Sequence, residues 1–199
     1  IRNCFAPMSK LMRHAVQWGY LKASPMPDVD LPTTQKKEMA FLPPDEIRQF
    51  LAQVPEKWHP FFVTAALSGM RMSELLAMKW SNLDLEGQQY HIKERIYRGD
   101  FDTPKSKASQ RAVDLPLDVI EALKRHRTAQ NIRRLSKGAA YSDNDLVFAR
   151  GSGTPYHKTT HIRRVFNKAL ADANCTTVRM HDLRHSYVSS RSYVFWDNG

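Results

Sequence analysis

The chain is poor in cysteine, in acidic residues and in long apolar runs, and each shortage excludes something. Its two cysteines, Cys4 and Cys175, lie near opposite ends of 199 residues. Two distant thiols build neither a disulfide framework nor a cysteine-based zinc site, and they suit a reducing cytosol. No stretch reaches the roughly 18 to 20 apolar residues of a membrane-spanning helix. No charged, apolar and small-residue succession of the kind that forms a signal peptide opens the chain. The first residue is isoleucine, so residue 1 is not expected to be a native start. Acidic side chains number 20 against 30 Lys and Arg, a formal net charge of +10. Such an excess points to a polyanionic partner, nucleic acid above all, with a merely solvated basic surface as the alternative.

What is present is mostly helical. Met8, Leu11, Met12, Ala15 and Trp18 recur at helical spacing, and Gly19 stops that helix. Pro25, Pro27 and Pro32 then mark an extended linker. A single helix cannot be a domain. The division is therefore residues 1–23 as the end of something larger, 24–40 as linker, and 41–199 as the main domain.

In the main domain, Pro43-Pro44 followed by Asp45 and Glu46 opens a helix. "KWHPFFVTAALSG" is a second apolar helix ending at Gly69, and a third starts at Arg71. A turn at Glu86-Gly87 precedes alternation through Tyr90, Ile92 and Ile96, and "RAVDLP" is another short strand. "LDVIEALKRHRTAQNIRRL" is a long amphipathic helix with a basic face, "TTHIRRVFNKALADA" is a further helix, and "RMHDLRHSYVSS" begins a last one. The expected fold is mainly α with a small antiparallel β-sheet.

Three places concentrate chemistry. Arg71 stands at a helix start, beside unpaired N–H groups and the positive end of the helix dipole, a corner that suits phosphate. It can equally pair with Glu74 at i,i+3. Lys105 and Lys107 lie between two strand-like runs, at or near a hairpin turn, where an ammonium can reach a bound backbone or simply be solvated. His181 and Arg184, in "HDLRH", can share one helical face, where they can hold a phosphate and move a proton or simply open a helix with no chemistry. His181 and His185 also have the i,i+4 spacing of zinc ligands, but Arg184 would repel a dication and no third ligand stands out. His157 and His161 share that spacing without an acid and read as surface histidines. Together these residues suit phosphodiester cleavage. Two guanidinium forks match the charge developing on the non-bridging oxygens, while a lysine and a histidine can move protons.

At these positions the sequence resembles the tyrosine recombinases, the phage-integrase family. "TAALSGMRMSELLAMKWSNLDL" is similar to the family's first signature box, T-G-x-R-x-x-E-L-x-x-L-x-W-x-D-I. "PKSKASQRAVDLP" resembles the hairpin-lysine segment, K-T-x-x-S-x-R-x-x-x-L-P, with Lys105, Ser109 and Arg111 in register. "RMHDLRHSYVSS" resembles the second box, H-x-L-R-H. The resemblance implies a recombinase catalytic domain preceded by the end of a core-binding domain. It implies that Arg71 and Arg184 clamp a phosphate, that His181 is a general acid/base, and that Lys105, with Lys107 in reserve, protonates the leaving 5′ oxygen. Glu74 reads as structural. The implied partner is double-stranded DNA, bound by a homo-oligomer, a tetramer in the family. The implied location is the cytoplasm, at the nucleoid. No metal or other cofactor is implied, because a phosphotyrosine conserves the bond energy. The segment after Arg184, "SSRSYVFWDNG", departs from the family's pattern. Tyr187 and Tyr193 come too early to match its nucleophile. The expectation is therefore a chain truncated before that tyrosine, or a non-catalytic DNA-binding remnant. A basic RNA- or ribosome-associated protein would account for the charge but not for the three boxes.

Overall fold

The computed structural model describes residues 2–32, 40–97, 100–102, 111–184 and 186–187. The chain forms two compact units, Ile1–Glu38 and Met39–Gly199. The first holds helix α1, Arg2–Gln17. Gly19 ends it with a left-handed φ of 79°, and the amides of Gly19 and Tyr20 return to the carbonyls of Val16 and Ala15. The stretch after it is not simply extended. Met26–Asp28 closes a short 3₁₀ turn around the buried Met26, since prolines fix φ at values a tight turn also accepts.

The second unit is built around α3, His59–Ser68, the most apolar helix of the chain. It has no polar face. Phe61, Phe62, Val63, Ala65 and Ala66 are all buried, and the one hydroxyl among them, Thr64, donates to the Pro60 carbonyl at 2.7 Å. Neighbouring helices cover it on several sides. These are α2 (Pro44–Gln53), α4 (Met72–Leu76) and α5 (Leu117–Lys137), with α6 (Thr160–Asp172) packed on α2. Phe50 of α2 meets Phe62 and Phe166 edge-on at 5.5 and 5.4 Å, so three helices share one aromatic cluster.

The sheet is smaller and more divided than the sequence pattern implies. Strands β1 (Leu83–Asp84), β2 (Gln89–Ile92) and β5 (Arg111–Asp114) form an antiparallel sheet in the order β1-β2-β5. Ile96 does not continue β2. It belongs to β3 (Arg95–Tyr97), which pairs with β4 (Asp100–Asp102) in a separate hairpin. Both Ile92 and Ile96 are buried, so one alternating pattern serves two strands that part at residues 93–94.

Helix α5 also departs from a uniform amphipathic reading. Its buried face runs from Val119 to Gln130, while Ile132 and Leu135 are exposed. Gln130 is the last anchor. It accepts from Trp80 Nε1 at 2.7 Å and donates to the Leu146 carbonyl at 2.9 Å.

Candidate active site

The site begins with the way α3 ends. Gly69 takes φ 62°, a left-handed value that costs an L-residue about 1 to 2 kcal/mol. A Cβ there would stand 2.5 Å from the Tyr187 ring, so the absence of a side chain lets that ring pack on the turn. The chain then reverses, and Arg71 caps α4 in an extended conformation. Its amide donates to Glu74 Oε2 at 2.8 Å and its Nη1 to Glu74 Oε1 at 2.9 Å. The i,i+3 pair therefore forms. It does not consume Arg71, whose side chain remains 51% exposed while that of Glu74 is 6% exposed.

Glu74 is shared. Arg111, the first residue of β5, places Nη1 3.2 Å from Oε1 and Nη2 3.0 Å from Oε2. Burial pushes the Glu74 carboxyl upward, but the hydrogen bonds from Arg111 and Arg71 and the charge of Arg111 outweigh it, and its pKa is lowered overall.

Arg184 lies on the helical turn after His181. Asp182, itself buried, caps that turn by accepting the Arg179 amide at 3.0 Å and its guanidinium at 3.0 Å. Ser186 fastens the turn to the start of the domain by accepting the Leu42 amide at 2.9 Å. Arg184 thus sits on a fixed backbone. Burial first, and then the positive charges of Arg71 and Arg111, lower its affinity for its proton. Its Nη1 is buried and has no hydrogen-bond partner among the described residues. A buried guanidinium donor without an acceptor is costly, and an anion beside it would remove that cost.

Arg71 and His181 line one cleft of about 360 Å³, together with Tyr156, His157, Thr159 and Arg163. The structure therefore brings Arg71 and His181 to one opening, with Arg184 close enough to feel the charge of Arg71. Lys105, Lys107, His185 and Tyr193 lie outside the described residues. Sequence reasoning missed the α6 side of the cleft. His157 is exposed, as a surface histidine would be, but it stands at the cleft, and His161 packs on the Trp58 ring at 5.4 Å. Arg163 carried a legible signal, the same one as Arg71: an arginine in the first turn of a helix.

With this geometry in view, the comparisons with known proteins are decisive. The model of the phage integrase family matches residues 40–191. The chain belongs to that family. It is 31% identical over 197 residues to the ICEBs1 integrase of Bacillus subtilis, an alignment covering 95% of this chain and 53% of that relative. It is 36% identical over 142 residues to an integrase of Streptomyces ambofaciens, covering 66% of this chain and 36% of that protein. The chain thus spans about half or less of these integrases. Its fold matches that of the Tn1549 transposon integrase in complex with transposon right end DNA, with TM-score 0.80 and 19% identity over 97% of this chain and 66% of that one. It also matches a lambda integrase dimer bound to a COC′ core site, with TM-score 0.64 and 16% identity over 93% and 63%. The expected recombinase fold, mainly α with small antiparallel sheets, is the observed one.

Proposed function

We infer that this integrase-family chain is the catalytic part of a site-specific DNA recombinase that breaks and rejoins strands through a phosphotyrosine. The observation that carries this reading is the buried Nη1 of Arg184, which has no partner among the described residues, on a guanidinium that feels the charge of Arg71, the residue that lines one cleft with His181. In the proposed reaction a tyrosine oxygen bonds to phosphorus and its proton passes to His181. The bond from phosphorus to the 5′ oxygen breaks, and Lys105 protonates that oxygen. Arg71 and Arg184 hold the two non-bridging oxygens as their charge grows. The reverse steps rejoin the strand. The partner is double-stranded DNA, acted on in the cytoplasm at the nucleoid by a homo-oligomer, a tetramer on DNA. Residues 1–23 are the end of a core-binding domain, 24–40 the linker, and 41–199 the catalytic domain.

For these 199 residues taken alone, a second reading, DNA binding without cleavage, draws on two tyrosines. The Tyr187 ring is committed to packing on Gly69. Tyr156 lines the cleft, but burial pushes its phenol above the usual range, the opposite of an activated nucleophile.

A labelled duplex nicked near the scissile phosphate tests both readings. The logarithm of affinity should fall with the logarithm of salt concentration with a slope of about −0.9 per phosphate contact. Arg184→Ala should weaken binding about tenfold, the cost of a charged hydrogen bond, while its melting temperature holds or rises because a crowded cation is gone. Binding indifferent to salt and to Arg184→Ala would sink the phosphate cleft. A covalent adduct formed by the chain unaided would sink the binding-only reading, and Tyr156→Phe, Tyr187→Phe and Tyr193→Phe, made one at a time, would show which tyrosine attacks.

A further inference from the structure

Arg111 has no part in the chemistry above, yet it makes the most demanding contact in the cluster. Its fork spans both oxygens of Glu74, at 3.2 and 3.0 Å. The same two oxygens hold the amide and the guanidinium of Arg71, at 2.8 and 2.9 Å. Four hydrogen bonds from two sides fix one carboxylate. Arg111 comes from β5, which is paired to β2, and Arg71 comes from the turn between α3 and α4. Glu74 therefore bridges a sheet and a helix start. An arginine as exposed as Arg71 has many rotamers available, and a partner gripped from one side only would leave it free to use them. A guanidinium fork constrains such a partner in a plane, whereas an ammonium supplies a point charge.

We propose that Arg111 is a positioning residue of the cleft: by clamping both oxygens of Glu74 it makes Glu74 hold the Arg71 guanidinium in the orientation that receives a phosphate. Arg111 acts through Glu74 and does not touch the anion. This rests on the reading of the Arg71 cleft as a phosphate site. The competing possibility is an ion pair that stabilises the fold and nothing more.

The experiment is a titration of the 199-residue chain with inorganic phosphate, followed at the Nε–Hε NMR signals of Arg71 and Arg184, with thermal melts alongside. In the unsubstituted chain both signals should move as phosphate binds. Arg111→Met should shift the Arg71 signal before any phosphate is added and weaken phosphate about tenfold in the folded protein, as small misplacements of binding groups do. Arg111→Lys keeps the charge, so a comparable loss there assigns the effect to the fork rather than to lost long-range attraction. It also decides the matter if Arg111→Met does not fold. A melting point lowered in both variants with phosphate affinity unchanged would overturn the inference and leave the phosphate site standing. If neither signal responds to phosphate in the unsubstituted chain, the phosphate reading falls and the inference falls with it.

Discussion

Around Glu74, three guanidiniums lie near one buried carboxylate. Along α5 the arginines are arranged differently. Arg127 lies 5.2 Å over the Trp80 ring, and Arg134 stands 2.7 Å from Asp143. Each has a partner of its own, and the Arg134 pair is about half exposed. The net charge of +10 is therefore no even coat. At Arg127 and Arg134 of α5 it is locally answered, whereas around Glu74 three guanidiniums crowd one carboxylate and burial disfavours the charge on Arg184. A second acid beside the three guanidiniums would relieve such crowding. The cluster instead leaves a buried donor of Arg184 without a partner among the described residues, which is the arrangement a bound anion completes.

The strongest way to break this contrast is to remove the one acid. Glu74→Gln should cost about 2 to 3 kcal/mol, since several charged hydrogen bonds weaken and three cations lose the carboxylate that faces them among the described residues. Urea unfolding measures it. The same substitution fixes the sign of a pH effect. Because the Glu74 pKa is lowered in the fold, its contribution is complete above the unfolded carboxyl value of about 4.5 and is lost as pH falls through the folded value. The acid limb of the stability profile should therefore flatten in Glu74→Gln. An unchanged acid limb would show that another carboxylate controls it.

The next effect concerns the turn that aims Arg71. Gly69→Ala adds a Cβ in the left-handed region, where L-residues lose about 1 to 2 kcal/mol, and drives it into the Tyr187 ring. Gly69→Ala with Tyr187→Ala should recover the steric part and leave the backbone part. A double-mutant cycle gives the coupling. Additive losses would mean that ring and turn are independent.

Much of this contrast was legible in the sequence, and the reasons are specific. Gly69 and Arg71 could be read because a helix stop and a helix-start arginine are local signals. The single turn that holds His181 and Arg184 could be read because i,i+3 spacing is local too. The Glu74–Arg111 contact joins residues 37 positions apart, and nothing in either segment alone announces it. The split of β2 from β3 was hidden because the buried alternation of Ile92 and Ile96 continues across the break. The exposure of Ile132 and Leu135 was hidden for the converse reason: helical periodicity persists past Gln130, the last residue of α5 buried among the described residues.

The smallest effect sharpens the other side of the comparison. Arg134 and Asp143 meet at 2.7 Å with side chains 57% and 47% exposed, so water screens the pair and holding two side chains in register offsets part of its attraction. Arg134→Gln should therefore change stability by only about 0 to 1 kcal/mol. If α5 also lies along the DNA backbone, the salt slope should fall by about 0.9, one phosphate contact. Arg184→Ala should then differ from Arg134→Gln in kind. It should weaken binding in the folded protein without destabilising it, because its guanidinium is crowded rather than paired. Should Arg134→Gln prove as costly to stability as Glu74→Gln, α5 would carry a buried charge network of its own, and the contrast between the two regions would fail.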